Sequence, residues 1–161
     1  MEHGKCDQKS ETFCPMSYFN VRVYGLLINQ DQEILLSDEF AVERYFTKFP
    51  GGGVEANEGV IDALRRELQE ELSAEMLDSS FFYFNDFEQV SAFDPSQQLI
   101  AFYYLVRLKE PEKMGTHTYS IPFQEETEKQ RWVHIHELKD QDFTFPIDQL
   151  VLVKLKEKLI S

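Results

Sequence analysis

Apolar and aromatic residues fall mainly into short dense runs of strand character, interrupted by two longer stretches in which they recur every three or four positions. Residues 19–28 (FNVRVYGLLI) are rich in β-branched and aromatic side chains, pass through Asn29-Gln30-Asp31-Gln32, and resume at Ile34-Leu35-Leu36. That spacing predicts a hairpin. Residues 38–43 read as a connecting segment, and residues 45–49 as a short strand that delivers the chain to Pro50 and three glycines. Residues 81–93 and 99–108 are two further strand-like runs separated by Asp94-Pro95-Ser96, which predicts a second hairpin. Trp132-Val133-His134-Ile135 makes a last strand, after a loop at 109–122 and a short acidic segment at 123–129.

The first periodic stretch predicts a helix over about residues 58–72, with Asn57 as N-cap and Ile61, Leu64, Leu68 and Leu72 on one stripe. The second predicts a closing helix over 147–159, with apolar residues at 147, 150, 151 and 155 and lysines opposite. Hairpins with one long helix between them and another at the end imply an α+β fold. The expected architecture is an α/β/α sandwich with a mixed β-sheet.

Length and composition then set bounds. With 161 residues and 42% hydrophobic content, the chain supports one domain with a proper core, expected over 18–161. Residues 1–17 read as a flexible polar leader; both cysteines, Cys6 and Cys14, lie in it and so cannot staple the core. Acidic residues outnumber basic ones 29 to 16, a formal charge of −13 that repels a polymeric nucleic acid and anionic lipid alike. A small phosphorylated ligand remains compatible, because a bound cation inverts the local field. No apolar run approaches the roughly 20 residues needed to span a bilayer, so no membrane partner is expected and the protein reads as soluble and cytoplasmic.

The chemistry concentrates in GGGVEANEGVIDALRRELQEELSA, residues 51–74. Glu67, Glu70 and Glu71 stand at i, i+3 and i+4, so their carboxylates share one flank of the helix. Such like-charge pairs each cost about 0.2–0.5 kcal/mol, which makes most sense if a cation sits among them. Oxygen-only donors of this kind suit Mg²⁺.

Gly52, five residues, Glu58, seven residues, Arg66-Glu67-Leu68, one residue, then Glu70-Glu71 resembles the Nudix hydrolase signature G-x5-E-x7-R-E-U-x-E-E-x-G-U. The Phe49-Pro50-Gly51-Gly52 lead-in resembles the family too, as do Trp132-Val133 and Glu137-Leu138 near the end. Two positions depart: Ser73 stands at the second glycine, where a left-handed backbone costs a non-glycine residue roughly 1 kcal/mol, and Ala74 replaces a bulky aliphatic residue.

The resemblance implies the Nudix fold and a Mg²⁺-dependent hydrolase, with Mn²⁺ as a substitute ion. Its reaction would be attack of water on phosphorus in a nucleoside diphosphate linked to another moiety. It implies that the Gly52 carbonyl joins Glu67, Glu70 and Glu71 at the metal. A further glutamate before the last strand completes the site: Glu126 is the choice, with Glu125 and Glu128 as rivals. Glu67 or Glu126 would take the proton, Arg66 would hold a neighbouring carboxylate, and Glu58 would support it. Arg22, Lys48 and Phe49 are candidate substrate contacts, although Arg22 reads more readily as a solvent-facing charge. The alternative is a non-catalytic, nucleotide-sensing binding module of the same fold. Homodimers are common among the proteins it resembles.

Overall fold

The computed structural model describes residues 18–114, 119 and 121–161; the polar leader with Cys6 and Cys14 lies outside the described residues. The elements are β1 (Tyr18–Leu27), β2 (Glu33–Ala41), β3 (Arg44–Lys48), β4 (Gly51–Gly53), α1 (Val60–Leu72), β5 (Met76–Phe84), β6 (Gln97–Leu108), β7 (Thr127–His134) and α2 (Pro146–Ile160). They form a four-stranded sheet in the order β4-β1-β6-β5 and a three-stranded sheet in the order β3-β2-β7. The larger sheet is mixed, because β1 and β6 run parallel while β4 and β5 are antiparallel to their neighbours.

Strand alternation distributes the core to two sides. Val23 and Leu27 of β1 and Leu35 of β2 pack with Ala63, Leu64 and Leu68 of α1. Tyr24 and Leu26, with Ile34 and Leu36, pack instead with Val151, Leu152 and Leu155 of α2. The sheets are therefore covered by a helix on each side, as the α+β reading expects.

Several local expectations change. The first hairpin opens at its base: β1 and β2 share only the bridge Ile28–Ile34 before entering different sheets. Residues 38–41 are not a connection but the end of β2, paired with β3 around a tight turn at Val42-Glu43. Both turn residues have positive φ, 51° and 57°, without the asparagine or glycine that usually announces such a turn. Helix α1 begins at Val60 with Gly59 as its N-cap, while Asn57 takes φ 66° in the turn before it. Strand β5 starts earlier than expected and stops at Phe84. Buried Asn85 ends it by mimicking a strand: its amide donates to the Phe87 and Leu99 carbonyls, and its oxygen accepts from the Ala101 N–H.

Candidate active site

The glycine turn and α1 meet by necessity of size. A Cβ on Gly51, where φ is 143°, would lie 2.1 Å from the Val23 carbonyl oxygen, and one on Gly52 would lie 2.4 Å from Glu67 Oε1. Only glycine lets β4 pair with β1 while the Glu67 carboxylate presses against its backbone. Glu71 reaches the same turn, accepting from the Gly51 N–H at 3.2 Å. The apolar stripe of α1 fixes this rotation, since buried Leu64 and Leu68 leave Glu67 and Glu71 facing the turn.

Arg66 binds one group of acids. Its Nη2 donates to Glu58 Oε1 at 2.6 Å and to the Gly53 carbonyl at 2.9 Å, and its Nη1 to Glu67 Oε1 at 3.0 Å and Glu70 Oε2 at 3.3 Å. The Arg66 hydrogen bond holds the Glu58 carboxyl below the usual range. Glu70 sits at the solvent margin with 59% of its side chain exposed.

Lys48, at the end of β3, serves a second group. Its Nζ lies 3.6 Å from Glu39, 3.9 Å from Glu71 and 3.7 Å from Glu128, and donates to the Gly51 carbonyl at 3.2 Å. Burial works against the Lys48 charge, but Glu71 and Glu128 outweigh it and hold the ammonium above the usual lysine range. Burial pushes the Glu71 carboxyl up, the Lys48 ammonium pulls it down, and Glu128 and Glu67 add to the upward push. Ser37 hydroxyl donates to Glu128, fixing that carboxylate from the neighbouring strand β2.

Of the three glutamates weighed for the late position, the structure brings Glu128 into the cluster. Glu126 is exposed on the segment entering β7, and Glu125 pairs with Lys129 at 3.6 Å. Phe49 is wholly buried against Phe143 and Tyr103 rather than on a cavity wall.

Beside the acids a cavity of about 260 Å³ opens between the larger sheet, the ends of β2 and β3, and the start of α2. Arg22, Tyr24, Phe46, Lys48, Tyr103 and Asp148 are on its wall. Arg22 does not point freely to solvent: its Nε donates to the Tyr24 hydroxyl at 2.7 Å, and its guanidinium lies 5.7 Å from that ring's centre. Asp148 accepts from the Tyr103 hydroxyl at 2.6 Å and is 1% exposed. Burial pushes its carboxyl up to about 7. Glu39, Ser37 and Asp148 escaped sequence reasoning; a lone acid shortly after Phe145-Pro146 at the head of an apolar helix was the available signal for the last.

The family model for the NUDIX domain matches residues 19–153. The chain belongs to the NUDIX family. Its class of chemistry is that of a Nudix pyrophosphohydrolase. It is 28% identical over 134 residues to the 8-oxo-dGTP diphosphatase of Escherichia coli (strain K12), covering 82% of this chain and 92% of that protein. Among solved structures it resembles a NUDIX hydrolase from Nitrosomonas europaea (TM-score 0.64, 18% identity, 86% of this chain and 89% of the other). It also resembles an ADP compounds hydrolase (TM-score 0.62, 23% identity, 90% and 74%). Nudix hydrolases in general use a divalent metal.

The donor set fits such an ion in kind: carboxylates of Glu67, Glu71 and Glu128 beside the backbone of Gly51 and Gly52, all oxygen. Among the described residues no three such side chains converge closely enough to grip an ion as they stand. As they stand the carboxylates pair with resident cations instead, Glu67 with Arg66, and Glu71 and Glu128 with Lys48. No helix among the described residues is long and apolar enough to cross a membrane.

Proposed function

We propose that the protein is a Mg²⁺-dependent hydrolase of the diphosphate bond in a nucleoside diphosphate linked to another moiety. One observation carries this: the carboxylates around the glycine turn adjoin a largely apolar cavity, and Arg22 and Lys48 stand on its wall. The cavity approaches the roughly 300 Å³ at which small-molecule sites begin, and exposed Phe93 on its wall offers an aromatic ring to a base. Glu67, Glu71 and Glu128 with the Gly52 carbonyl would hold the metal, with Glu70 at its outer edge. When bound, a divalent cation would neutralise phosphoryl charge and make a nearby water more acidic.

The chain's own residues supply the rest. Arg66 keeps Glu67 aimed at the turn and Glu58 keeps Arg66 in place, and Glu67 would take the proton from the attacking water. Arg22 and Lys48 place positive charge where the phosphates would lie. The names carried by its relatives, an 8-oxo-dGTP diphosphatase and an ADP compounds hydrolase, point to the same substrate class.

The test is a Mg²⁺ assay over nucleotide sugars, dinucleotides and nucleoside triphosphates, with products identified by mass and the attacked phosphorus read in ¹⁸O-water. Release of a mononucleotide from at least one compound is expected. Calorimetric binding of nucleotides with no product from any of them would favour the nucleotide-sensing module instead.

A further inference from the structure

The acids of the site are divided between two resident cations. Arg66 serves Glu58, Glu67 and Glu70, and Lys48 serves Glu39, Glu71 and Glu128. The Lys48 partners come from β2, α1 and β7, and the Gly51 carbonyl adds β4, so one ammonium joins both sheets to the helix. Its side chain is 8% exposed, which leaves little water to share the work of balancing three carboxylates.

The geometry points to Lys48 as a built-in counter-cation of the metal cage. Its ammonium neutralises Glu71 and Glu128 before a divalent ion binds, and an entering ion must take those carboxylates away from it. This rests on the reading of Glu67, Glu71 and Glu128 as metal ligands. Without Lys48, Glu71 would face both Glu67 and Glu128 with no positive charge between them, so the lysine keeps the acids assembled. It does so at the expense of ion affinity, because any charge it neutralises is one the ion must win back. After displacement Lys48 still has Glu39, Gly51 and the cavity wall to hold it, and its charge then faces the ligand rather than the cage.

The sign of the effect distinguishes this role from a structural one. Titration calorimetry of the full chain with Mn²⁺ alone, without nucleotide, compares wild type with Lys48→Met and Lys48→Arg. Lys48→Met is expected to bind Mn²⁺ about tenfold more tightly or better, and Lys48→Arg, which keeps the charge, to stay within about threefold of wild type. A folded Lys48→Met protein that binds Mn²⁺ no more tightly than wild type overturns the inference while leaving the metal reading intact. A wild type that binds no Mn²⁺ overturns the metal reading itself and the inference with it. If Lys48→Met does not fold, ¹⁵N-lysine spectra of the wild type decide. The Lys48 ammonium resonance should move as Mg²⁺ saturates the protein, and a resonance unmoved at saturation overturns the displacement.

Discussion

Arg66 and Glu58 meet edge to edge, Nε donating to Oε2 at 3.1 Å and Nη2 to Oε1 at 2.6 Å. This two-pronged contact locks the guanidinium plane, and the other donors then bridge the Gly53 carbonyl and the Glu67 carboxylate. Arg66→Lys preserves the charge but cannot make the fork. The expected result is a fall in kcat of about 10–100-fold with KM little changed, and a stability loss of about 1 kcal/mol by thermal melting. A variant with lowered stability but wild-type kcat would remove Arg66 from the orienting role.

On the helix surface Glu70 and Glu71 look equivalent, but their surroundings differ. Glu71 has 11% of its side chain exposed and reaches Lys48 and the Gly51 N–H, whereas Glu70 is 59% exposed and touches Arg66. Glu71→Gln should lower kcat by about 10²–10³-fold and Glu70→Gln by about tenfold. Steady-state rates at saturating Mg²⁺ measure both, and equal losses would contradict this ranking.

Glu128 and Glu126 make a second contrast. Ser37 and Lys48 hold Glu128 against the cluster, while Glu126 is exposed before β7 begins. Glu128→Gln is expected to reduce kcat by about 10²-fold or more, and Glu126→Gln to leave it within about threefold. The reverse pattern would mean that the segment before β7 folds over the site when substrate binds.

Much of this site was legible because it is local in sequence. Gly52, Glu58, Arg66, Glu67 and Glu71 lie within one turn and one helix, where 3.6-residue periodicity alone decides which side chains share a face. The helix–strand alternation likewise implied the layers. What stayed hidden depends on strand register. Ser37 lies opposite Lys48 because Val42-Glu43 turns β2 into β3, and those residues carry no turn signature; Glu39 lies opposite Glu128, and Ser37 opposite Gln130, through the pairing of β2 with β7, strands far apart in sequence. The choice of Glu128 over Glu126 has the same origin: the first is inside β7, paired and oriented, and the second precedes it. Asp148 and Tyr103 are 45 positions apart and meet only through packing of α2 on the larger sheet.

Ser73 ends α1 with φ 51° and ψ 34°, and its N–H donates to the Gln69 carbonyl at 3.0 Å. That backbone is the one glycine adopts freely and serine does not. Ser73→Gly should therefore stabilise the protein by about 0.5–1 kcal/mol, after allowing for glycine's greater freedom when unfolded, and raise Tm by roughly 2–4 °C. Activity should not change, because the side chain lies outside the acid cluster. A lower Tm would show that the serine side chain itself contributes to the helix end.

Asp148 gives the stability a definite pH dependence. Burial raises its carboxyl to about 7 from an ordinary 3.8, against the pull of the Tyr103 hydrogen bond and the Lys48 and Arg22 charges. Between those values the native protein holds a proton that the unfolded chain has released. The contribution is thus fully present below about pH 4 and is lost as pH rises through about 7. Asp148→Asn cannot ionise, yet its amide oxygen can still accept from Tyr103. Relative to wild type, the variant should gain stability steadily from pH 5 to pH 7 and level off above, by at most about 4 kcal/mol. Denaturant unfolding of both proteins at pH 5, 6, 7 and 8 measures the gap. A gap that stays constant from pH 5 to pH 8 would mean that Lys48 and Arg22 keep Asp148 ionised in the native state, and that the cavity presents a carboxylate rather than a neutral acid at neutral pH.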